Sequence, residues 1–199
     1  MSNSNINSSA LINDHQIGSF GNYHNKEKSE LLTVKELTNL SVYQIAKFKS
    51  SKANVDSVTI DGLNLPKKYP DVSYNNDTRI LWNGPKNWLL VSTKKDLLNN
   101  ILQNFKETDF AVTDLSHSKA IIEIEGQEVK EVLKKGCPFN FNTLEKNNSI
   151  NSLYNGIAFT VDMLENNPDK VRLFALRSFG ESLYHSITDA SLEFGFKSL

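Results

Sequence analysis

The sequence predicts an α+β fold in which antiparallel sheet is covered on one side by helices. From residue 79 onward, the order strand, turn, strand, helix occurs three times. The strands alternate apolar and polar residues, as expected of hairpins with one buried face, and each predicted helix has an apolar face that can cover them. These repeated strand-strand-helix units predict layered sheet and helices, and do not indicate a parallel Rossmann sheet.

The size and composition restrict the class of protein. The chain has 199 residues, enough for one domain or two small ones. Lys and Arg total 22 against 23 Asp and Glu, and the net charge of −1 gives no general attraction to nucleic acid or an anionic membrane. No apolar run has the length of a membrane span, and residues 1–10 lack the features of a secretory signal. A single cysteine cannot form an internal disulfide. We therefore expect a cytoplasmic protein that binds neither nucleic acid nor membrane.

Residues 1–30 are rich in Asn, Ser and Gly, and their apolar residues are isolated. This composition buries too little apolar surface to offset the entropy of ordering. We expect a flexible arm, which is either disordered or ordered along a partner through its scattered apolar residues Leu11, Ile12, Ile17 and Phe20. Residues 31–199 then form the α+β domain, either undivided or as two small subdomains that share a core.

The first element of this domain is a predicted strand over residues 40–48, where apolar residues recur at even positions. A short helical stretch is expected near residues 53–60. Residues 62–78 contain Gly62 and Pro66 together with paired Asn, and this composition predicts a long surface loop.

The first repeated unit has predicted strands over residues 79–83 and 88–91 and a helix over residues 94–105. Apolar residues of the helix recur at the spacing of one buried face. Thr93 and Asp96 have the spacing of a capping box at its start.

The second unit has predicted strands over residues 110–115 and 120–125. A helix over residues 127–135 follows, and Gly136 and Pro138 are typical of a helix end.

The third unit has predicted strands over residues 157–163 and 171–175 on either side of an NNPD turn. The last helix is expected to start near Phe179, with Ser178 and Glu181 as a second capping box.

No complete catalytic, cofactor or metal site is predicted. Cys137 follows a predicted helix C-terminus, where the negative end of the helix dipole disfavours a thiolate, so we interpret it as a structural cysteine. None of the histidines has the spacing of a metal motif, and no glycine-rich phosphate-binding motif occurs. We therefore expect no catalytic residue and no bound metal or cofactor on this chain. The histidines considered are His15, His24, His117 and His185.

Two segments are candidate subunit interfaces. Trp82, Pro85 and Trp88 surround one hairpin turn, where tryptophans serve either as core residues or as interface anchors. Asp114, Ser116 and His117 lie at a strand end, where they are either turn formers or surface contacts. A Ser116–His117 dyad is disfavoured because neighbouring residues of a strand point to opposite faces.

Three segments together resemble the gamma subunits of heterotetrameric sarcosine oxidases. They are RILWNGPKNWLLV, TDLSHSKAIIEIEGQEVKEVLKKGCPFNF and LRSFGESLYHSITDASLEFG, in the order of the family's landmarks. The resemblance covers residues 31–195. It implies a fold similar to the folate-binding domains of glycine-cleavage aminomethyltransferases.

The resemblance also implies a function for the assembly. The alpha and beta subunits would carry FAD, FMN, NAD and the folate site, and a delta subunit would carry zinc. The whole enzyme would oxidatively demethylate sarcosine to glycine, with hydrogen peroxide and either formaldehyde or methylene-tetrahydrofolate as products. This chain would be a non-catalytic subunit. The alternative is a free-standing folate-binding or aminomethyltransferase-like protein, although the spacing does not assign Asp114 as the folate carboxylate.

Overall fold

The computed structural model describes residues 8–11, 15–24, 26–27 and 29–199. Within these residues the chain divides into two units. Unit 1 combines the described part of residues 1–38 with residues 118–146 and 151–199, and unit 2 combines residues 39–117 with residues 147–150. Unit 2 is thus formed mainly by one continuous stretch between two segments of unit 1.

The strands are numbered in chain order. They are β1 (Gly18–Phe20), β2 (Leu32–Glu36), β3 (Ser41–Lys47), β4 (Thr59–Ile60), β5 (Leu63–Asn64), β6 (Val72–Tyr74), β7 (Thr78–Gly84), β8 (Asn87–Ser92), β9 (Phe110–Asp114), β10 (Lys119–Gly126), β11 (Ser149–Tyr154), β12 (Ile157–Glu165), β13 (Asp169–Leu176) and β14 (Phe196–Ser198). The α-helices are α1 (Leu97–Asn104), α2 (Val129–Gly136) and α3 (Gly180–Ser191). Short 3₁₀ turns occupy Val55–Ser57, Phe141–Thr143 and Arg177–Phe179.

A seven-stranded sheet has the order β1-β14-β2-β10-β13-β12-β11. The pairs β1–β14, β2–β10, β10–β13 and β12–β13 are antiparallel, whereas β14 runs parallel to β2. Helices α2 and α3 contact each other and both β10 and β13. Gly180 at the start of α3 lies against Ala120. Ala120 lies on the same face of β10 as the buried Ile122 and Ile124, because alternate residues of a strand share a face. The helices therefore cover the apolar face of β10.

Unit 2 contains a five-stranded antiparallel sheet in the order β6-β7-β8-β3-β9. Helix α1 buries Leu97 and Ile101 in the core of this unit. A small β4–β5 ladder lies in the chain between β3 and β6 of this sheet. The predicted α+β class with largely antiparallel sheet and helices is confirmed. The buried core of the unit comprises Tyr43, Ile45, Ile60, Leu65, Ile80, Trp88, Leu90, Leu97, Ile101, Phe105 and Phe110.

The predicted capping boxes are wrong. Helix α1 begins at Leu97 rather than at residue 94, and its N-cap residue, Asp96, makes no side-chain cap hydrogen bond. The Thr93 hydroxyl instead donates to Asp77 Oδ1 at 3.1 Å. Helix α3 begins at Gly180 with Phe179 as the N-cap residue, again without a side-chain cap bond. Tertiary hydrogen bonds and the preceding 3₁₀ turn thus replace the local caps.

Two other local predictions differ from the structure. The helical stretch near residues 53–60 is a single 3₁₀ turn followed by β4, and the Asn54 side chain caps that turn. The loop over residues 62–78 contains β5 and β6, and β6 pairs with β7. Pairing with a longer strand outweighs the turn-forming composition of this segment.

The segment predicted as a flexible arm over residues 1–30 includes ordered structure in its described part. Residues 18–20 form β1, which pairs with β14, and Leu11 is fully buried. The isolated Leu11 and Phe20 of this polar segment contact unit 1, and polar side chains of unit 1 bind its backbone. Residue Ile12, also considered as a contact, lies outside the described residues.

Replacing Tyr154 with phenylalanine is expected to lower the free energy of unfolding by about 1 kcal/mol, because a buried hydrogen bond is lost. The fully buried Tyr154 hydroxyl donates to the Val132 carbonyl of α2 at 3.0 Å. Burial also raises the pKa of Tyr154 to about 12. Denaturant unfolding of Tyr154→Phe should be compared with Tyr74→Phe, whose parent side chain is exposed. An equal loss in both variants would contradict the role of this hydrogen bond.

Candidate interaction surface

The β7–β8 hairpin ends in a two-residue turn at Pro85 and Lys86. Gly84 pairs with Asn87 across the turn, and Lys86 has a φ of +60°. The Lys86 carbonyl accepts a hydrogen bond from Lys47 N at 2.9 Å, so the turn is held at the end of β3. Pro85 is exposed at the tip. The hairpin therefore presents a fixed turn to the surrounding solvent.

Trp88 lies in the core of unit 2 rather than on the hairpin surface. Its side chain is 4% exposed, and the indole Nε1 donates to the Pro66 carbonyl at 2.8 Å. Both the ring and its polar group are therefore satisfied inside the unit. Trp88 is therefore a core residue, and its indole is not available as an interface anchor in this conformation.

Trp82 pairs with Trp88 across the hairpin but is only half-buried. The Tyr69 ring meets the Trp82 ring edge-on, with the ring centroids 6.1 Å apart, and Tyr69 is 48% exposed. Burial of the remaining part raises the pKa of the Tyr69 hydroxyl. Tyr69, Trp82 and Pro85 together are called the hairpin surface below. Tyr69 was not predicted as a site residue, because it lies in a predicted loop with no periodic pattern.

The second candidate segment, Asp114 to His117, lies at the end of β9. Asp114 Oδ1 accepts a hydrogen bond from Ser116 N at 2.9 Å, and Ser116 Oγ accepts one from Val42 N at 2.9 Å. Asp114 and His117 are exposed. These bonds fasten the end of β9 to the start of β3, which is a turn-forming arrangement. The Ser116 hydroxyl is thus engaged with the backbone of β3.

The structure does not bring the two candidate segments together. Lys86 lies beside Lys47, whereas Ser116 lies beside Val42 at the other end of β3. These two β3 positions are five residues apart, which corresponds to about 17 Å along a strand. The hairpin surface and the Asp114–His117 segment are therefore separate places on unit 2.

A polar cluster around Asp61 was not predicted. Its carboxylate accepts hydrogen bonds from Lys94 Nζ at 2.6 Å, Thr78 Oγ1 at 2.7 Å and Asn75 Nδ2 at 3.1 Å. The hydrogen bond from Lys94 is the largest influence that lowers the pKa of Asp61. The cluster joins the β4–β5 turn to the open end of the β7–β8 hairpin, where β7 begins and β8 ends. Its donors and acceptors are paired with each other, which indicates a structural role.

A second unpredicted cluster surrounds Glu123 on β10. The carboxylate is 4% exposed and lies 3.0 Å from Lys35 Nζ, 3.0 Å from Arg172 Nε and 3.3 Å from Lys170 Nζ. Burial opposes ionisation, but hydrogen bonds from Lys35 and Arg172 outweigh it and hold the pKa of Glu123 below its ordinary value. Lys35 and Arg172 are the cross-strand neighbours of Glu123 in β2 and β13. Opposite charges therefore connect three adjacent strands.

The candidate nucleophile Cys137 is buried at the C-terminal end of α2. Its Sγ donates to Ser152 Oγ at 3.2 Å. Within the described residues, no group of three or more His, Cys, Asp or Glu side chains is arranged to hold a metal ion. In the same part of the chain, no helix combines the length and the apolar character needed to cross a membrane.

The sequence was compared with known families and proteins. Residues 50–193 match a family described as "Sarcosine oxidase, gamma subunit family". The chain is 28% identical over 137 residues to the sarcosine oxidase subunit gamma of Corynebacterium sp. (strain U-96). That alignment covers 67% of this chain and 66% of the relative, so the chain spans just under two thirds of the relative's length.

The fold is similar to two solved structures. One is a chain of the heterotetrameric sarcosine oxidase from Corynebacterium sp. U-96 in complex with pyrrole 2-carboxylate, with a TM-score of 0.74, 24% identity and coverage of 84% of this chain and 87% of that chain. The other is the glycine cleavage system aminomethyltransferase T from Bartonella henselae, with a TM-score of 0.63, 9% identity and coverage of 86% of this chain and 48% of that chain. The predicted aminomethyltransferase-like fold is confirmed.

Proposed function

Because the chain belongs to the sarcosine oxidase gamma subunit family, we propose that it is the gamma subunit of a heterotetrameric sarcosine oxidase. The match over residues 50–193 is the observation that carries this proposal. In the proposed assembly, the complex oxidatively demethylates sarcosine to glycine and forms hydrogen peroxide. The one-carbon unit leaves as formaldehyde or as methylene-tetrahydrofolate.

The proposed partners are the alpha, beta and delta subunits, which would hold FAD, FMN, NAD, folate and zinc. We propose that this chain contributes no catalytic residue. Its two nucleophile candidates are engaged elsewhere, since the Cys137 thiol donates to Ser152 and the Ser116 hydroxyl binds the backbone of β3.

The fold likeness to an aminomethyltransferase raises the question of folate binding by this chain. Asp114 was considered as the folate carboxylate, but it is exposed and its Oδ1 accepts the Ser116 N–H. A small-molecule site normally places such a polar group in a concave, mostly apolar pocket. Asp114 does not fit this requirement. We therefore propose the subunit role rather than the free-standing enzyme.

We further propose that the hairpin surface contacts a partner subunit. Aromatic residues that are half-buried in the free chain gain most when a partner completes their burial, and Trp and Tyr are frequent anchors at interface centres. Trp82 is half-buried, the 48% exposed Tyr69 contacts its ring, and the fixed turn at Pro85 follows Trp82 in the same hairpin.

The Trp82→Ala variant tests this docking. We expect it to remain folded and to bind the flavin-bearing subunits at least tenfold more weakly, which corresponds to a loss of about 1.4 kcal/mol or more. Tyr74→Ala is the matched control, because Tyr74 is an exposed aromatic residue elsewhere in unit 2. Affinity should be measured by titrating the large subunits with each folded chain. Parent-like affinity of Trp82→Ala would exclude the hairpin surface as an important contact.

The subunit role itself is tested by reconstitution. We expect sarcosine-dependent peroxide formation from the assembled complex and none from this chain alone. The isolated chain should also show no flavin absorption and no saturable binding of tetrahydrofolate. Stoichiometric folate or flavin on the isolated chain, or failure to assemble with the large subunits, would contradict the proposal.

A further inference from the structure

The seven-stranded sheet has a second face, which points away from α2 and α3. Alternate residues of a strand lie on opposite faces, so Lys119 and Ile121 of β10 lie on this face, whereas Ala120 lies on the face covered by the helices. Their cross-strand partners in β13 are Leu176 and Phe174, respectively, which share the second face. Ile121 and Phe174 are buried, but Leu176 is 50% exposed. The second face is therefore buried at its centre and open where β10 begins and β13 ends.

The open end of this face continues through β12 to β11. The β12–β13 register, continued by one residue, places Ala158 opposite Leu176. The two-residue turn between β11 and β12 has a positive φ at both positions, as in a tight hairpin, and it places Leu153 opposite Ala158. A hydrogen bond from Thr160 Oγ1 to Asn151 Oδ1 at 2.6 Å agrees with this register. Ala158 is exposed, and Leu153 is 51% exposed.

Four residues of unit 1 thus form one row across four adjacent strands, which we call the exposed row: Leu153, Ala158, Leu176 and Lys119. Neighbouring strands lie about 4.8 Å apart, so the two leucines stand about 10 Å apart with the small Ala158 between them. Lys119 lies one strand beyond Leu176, about 10 Å from Ala158. The exposed row is therefore a shallow apolar slot with a cation at one end.

Lys119 carries the charge of the exposed row. Its side chain is partly buried, and within the described residues it forms no ion pair and no side-chain hydrogen bond. Burial alone acts on its ammonium group and lowers the pKa of Lys119. Two other lysines on this face, Lys35 and Lys170, both lie beside the Glu123 carboxylate. Lys119 lacks such a carboxylate, and a buried charge without a partner is unfavourable.

We propose that the exposed row is a docking surface for a large subunit of the proposed oxidase, which places an apolar side chain over Ala158 and a carboxylate against Lys119. These two groups of the partner lie about 10 Å apart, as Ala158 and Lys119 do. The apolar side chain completes the burial of Leu153 and Leu176, and the carboxylate compensates the desolvated ammonium group. The identity of the partner as a large subunit rests on the proposed function.

The charge of the exposed row favours a different protein over a second copy of this chain. A two-fold contact brings the same patch of both copies together, and the exposed row contains no carboxylate. The neighbouring Asn151 and Thr160 on the same face are also uncharged. Pairing of two exposed rows would therefore leave Lys119 of each copy without an anionic partner. A partner of different sequence can supply the missing carboxylate.

The first test replaces Lys119 with methionine, which keeps an apolar stem and removes the charge. For the isolated chain we expect a urea-unfolding midpoint at or above that of the parent, because an unpaired, partly buried cation is removed. For assembly we expect at least tenfold weaker binding when the large subunits are titrated with the variant. Lys119→Arg keeps the charge and should bind nearly as the parent does. Added salt should weaken binding of the parent and of Lys119→Arg more than binding of Lys119→Met.

The second test places a carboxylate at the apolar end of the exposed row. Leu153 lies three strands from Lys119, about 14 Å away, so Leu153→Asp cannot neutralise the lysine within the chain. We expect at least tenfold weaker binding of the large subunits, because a charge enters the apolar slot. Leu102→Asp is the matched control, since Leu102 is 50% exposed on α1 of unit 2, and it should bind as the parent does. Leu153→Ala and Leu102→Ala form a milder pair if an aspartate variant does not fold.

The outcomes separate this inference from the proposed function. Parent-like binding of Lys119→Met would overturn the carboxylate partner, and parent-like binding of the folded Leu153 variant would overturn the apolar slot. In both cases the parent chain still assembles, so the subunit role stands. Failure of the parent chain itself to assemble would contradict the proposed function and, with it, the large subunit as the occupant.

Two measurements on the isolated chain complete the test. An unfolding midpoint of Lys119→Met clearly below that of the parent would show that Lys119 has a stabilising partner within the chain, and would overturn the inference. Sedimentation of the parent should show no dimer that Leu153→Asp abolishes. Such a dimer would identify a second copy as the occupant and would also overturn the inference.

Discussion

The Trp88→Ala variant is expected to lose about 3 to 5 kcal/mol of unfolding free energy, as for other fully buried aromatic residues. The indole belongs to the buried core of unit 2, together with Ile45, Ile80 and Leu90. Its removal leaves a cavity and also deprives the Pro66 carbonyl of its hydrogen bond. Urea unfolding monitored by far-ultraviolet circular dichroism measures the loss without relying on tryptophan fluorescence.

Trp82→Ala is the matched control, because it removes the same side chain from the paired position of the hairpin. We expect a loss of about 1 kcal/mol or less, since half-exposed side chains outside the core contribute little. A third variant, Trp88→Phe, retains most of the buried ring and should fall between the two. Similar losses for Trp82→Ala and Trp88→Ala would contradict the assignment of Trp88 to the core and of Trp82 to the surface.

The Glu123→Gln variant is expected to lose about 2 kcal/mol at neutral pH, because it removes the buried negative charge that pairs with three partly exposed cations. Lys35, Lys170 and Arg172 all converge on this single carboxylate. Glu125→Gln is the control. Glu125 is partly exposed and pairs with Lys170 at the surface, so its loss should be about 0.5 kcal/mol.

The effect of Glu123 should depend on pH with a defined sign. The pKa of Glu123 in the folded chain is below its ordinary value of 4.5. The carboxylate therefore contributes its full stabilisation above pH 4.5, and this contribution is lost as pH falls through the lower folded pKa. The parent should lose more stability than Glu123→Gln between pH 5 and acid conditions, so the two curves converge. A difference that is constant with pH would contradict the assignment.

The sequence predicted those helices and strands whose apolar pattern lies within the element itself. The apolar spacing of α3 predicted its extent to within a residue at the start, and the alternation along β12 and β13 predicted strands that the structure contains. The ends of helices were predicted less well. Thr93 and Lys94 bind Asp77 and Asp61 instead of continuing the helix, and these partners are distant in sequence.

The candidate sites were predicted only in part, because they depend on strand register. Sequence spacing alone left the roles of Trp82 and Trp88 open, since both belong to the same hairpin and face each other across it. The hydrogen bond to the Pro66 carbonyl and the surrounding core residues distinguish the buried indole of Trp88 from the half-exposed one of Trp82. The Glu123 cluster joins strands from three remote parts of the chain. No local sequence pattern predicts which residues of such strands pair with each other.

The insertion of residues 39–117 between β2 and β10 has a consequence for the order of folding. These two strands pair directly, so their contact closes a long loop, and closure entropy increases with loop length. Within unit 2, however, β3 pairs with β9, and the Ser116–Val42 hydrogen bond joins the two ends of the inserted stretch. Once unit 2 has folded, β2 and β10 are joined by a short effective link. We therefore expect unit 2 to fold first, before β2 and β10 pair.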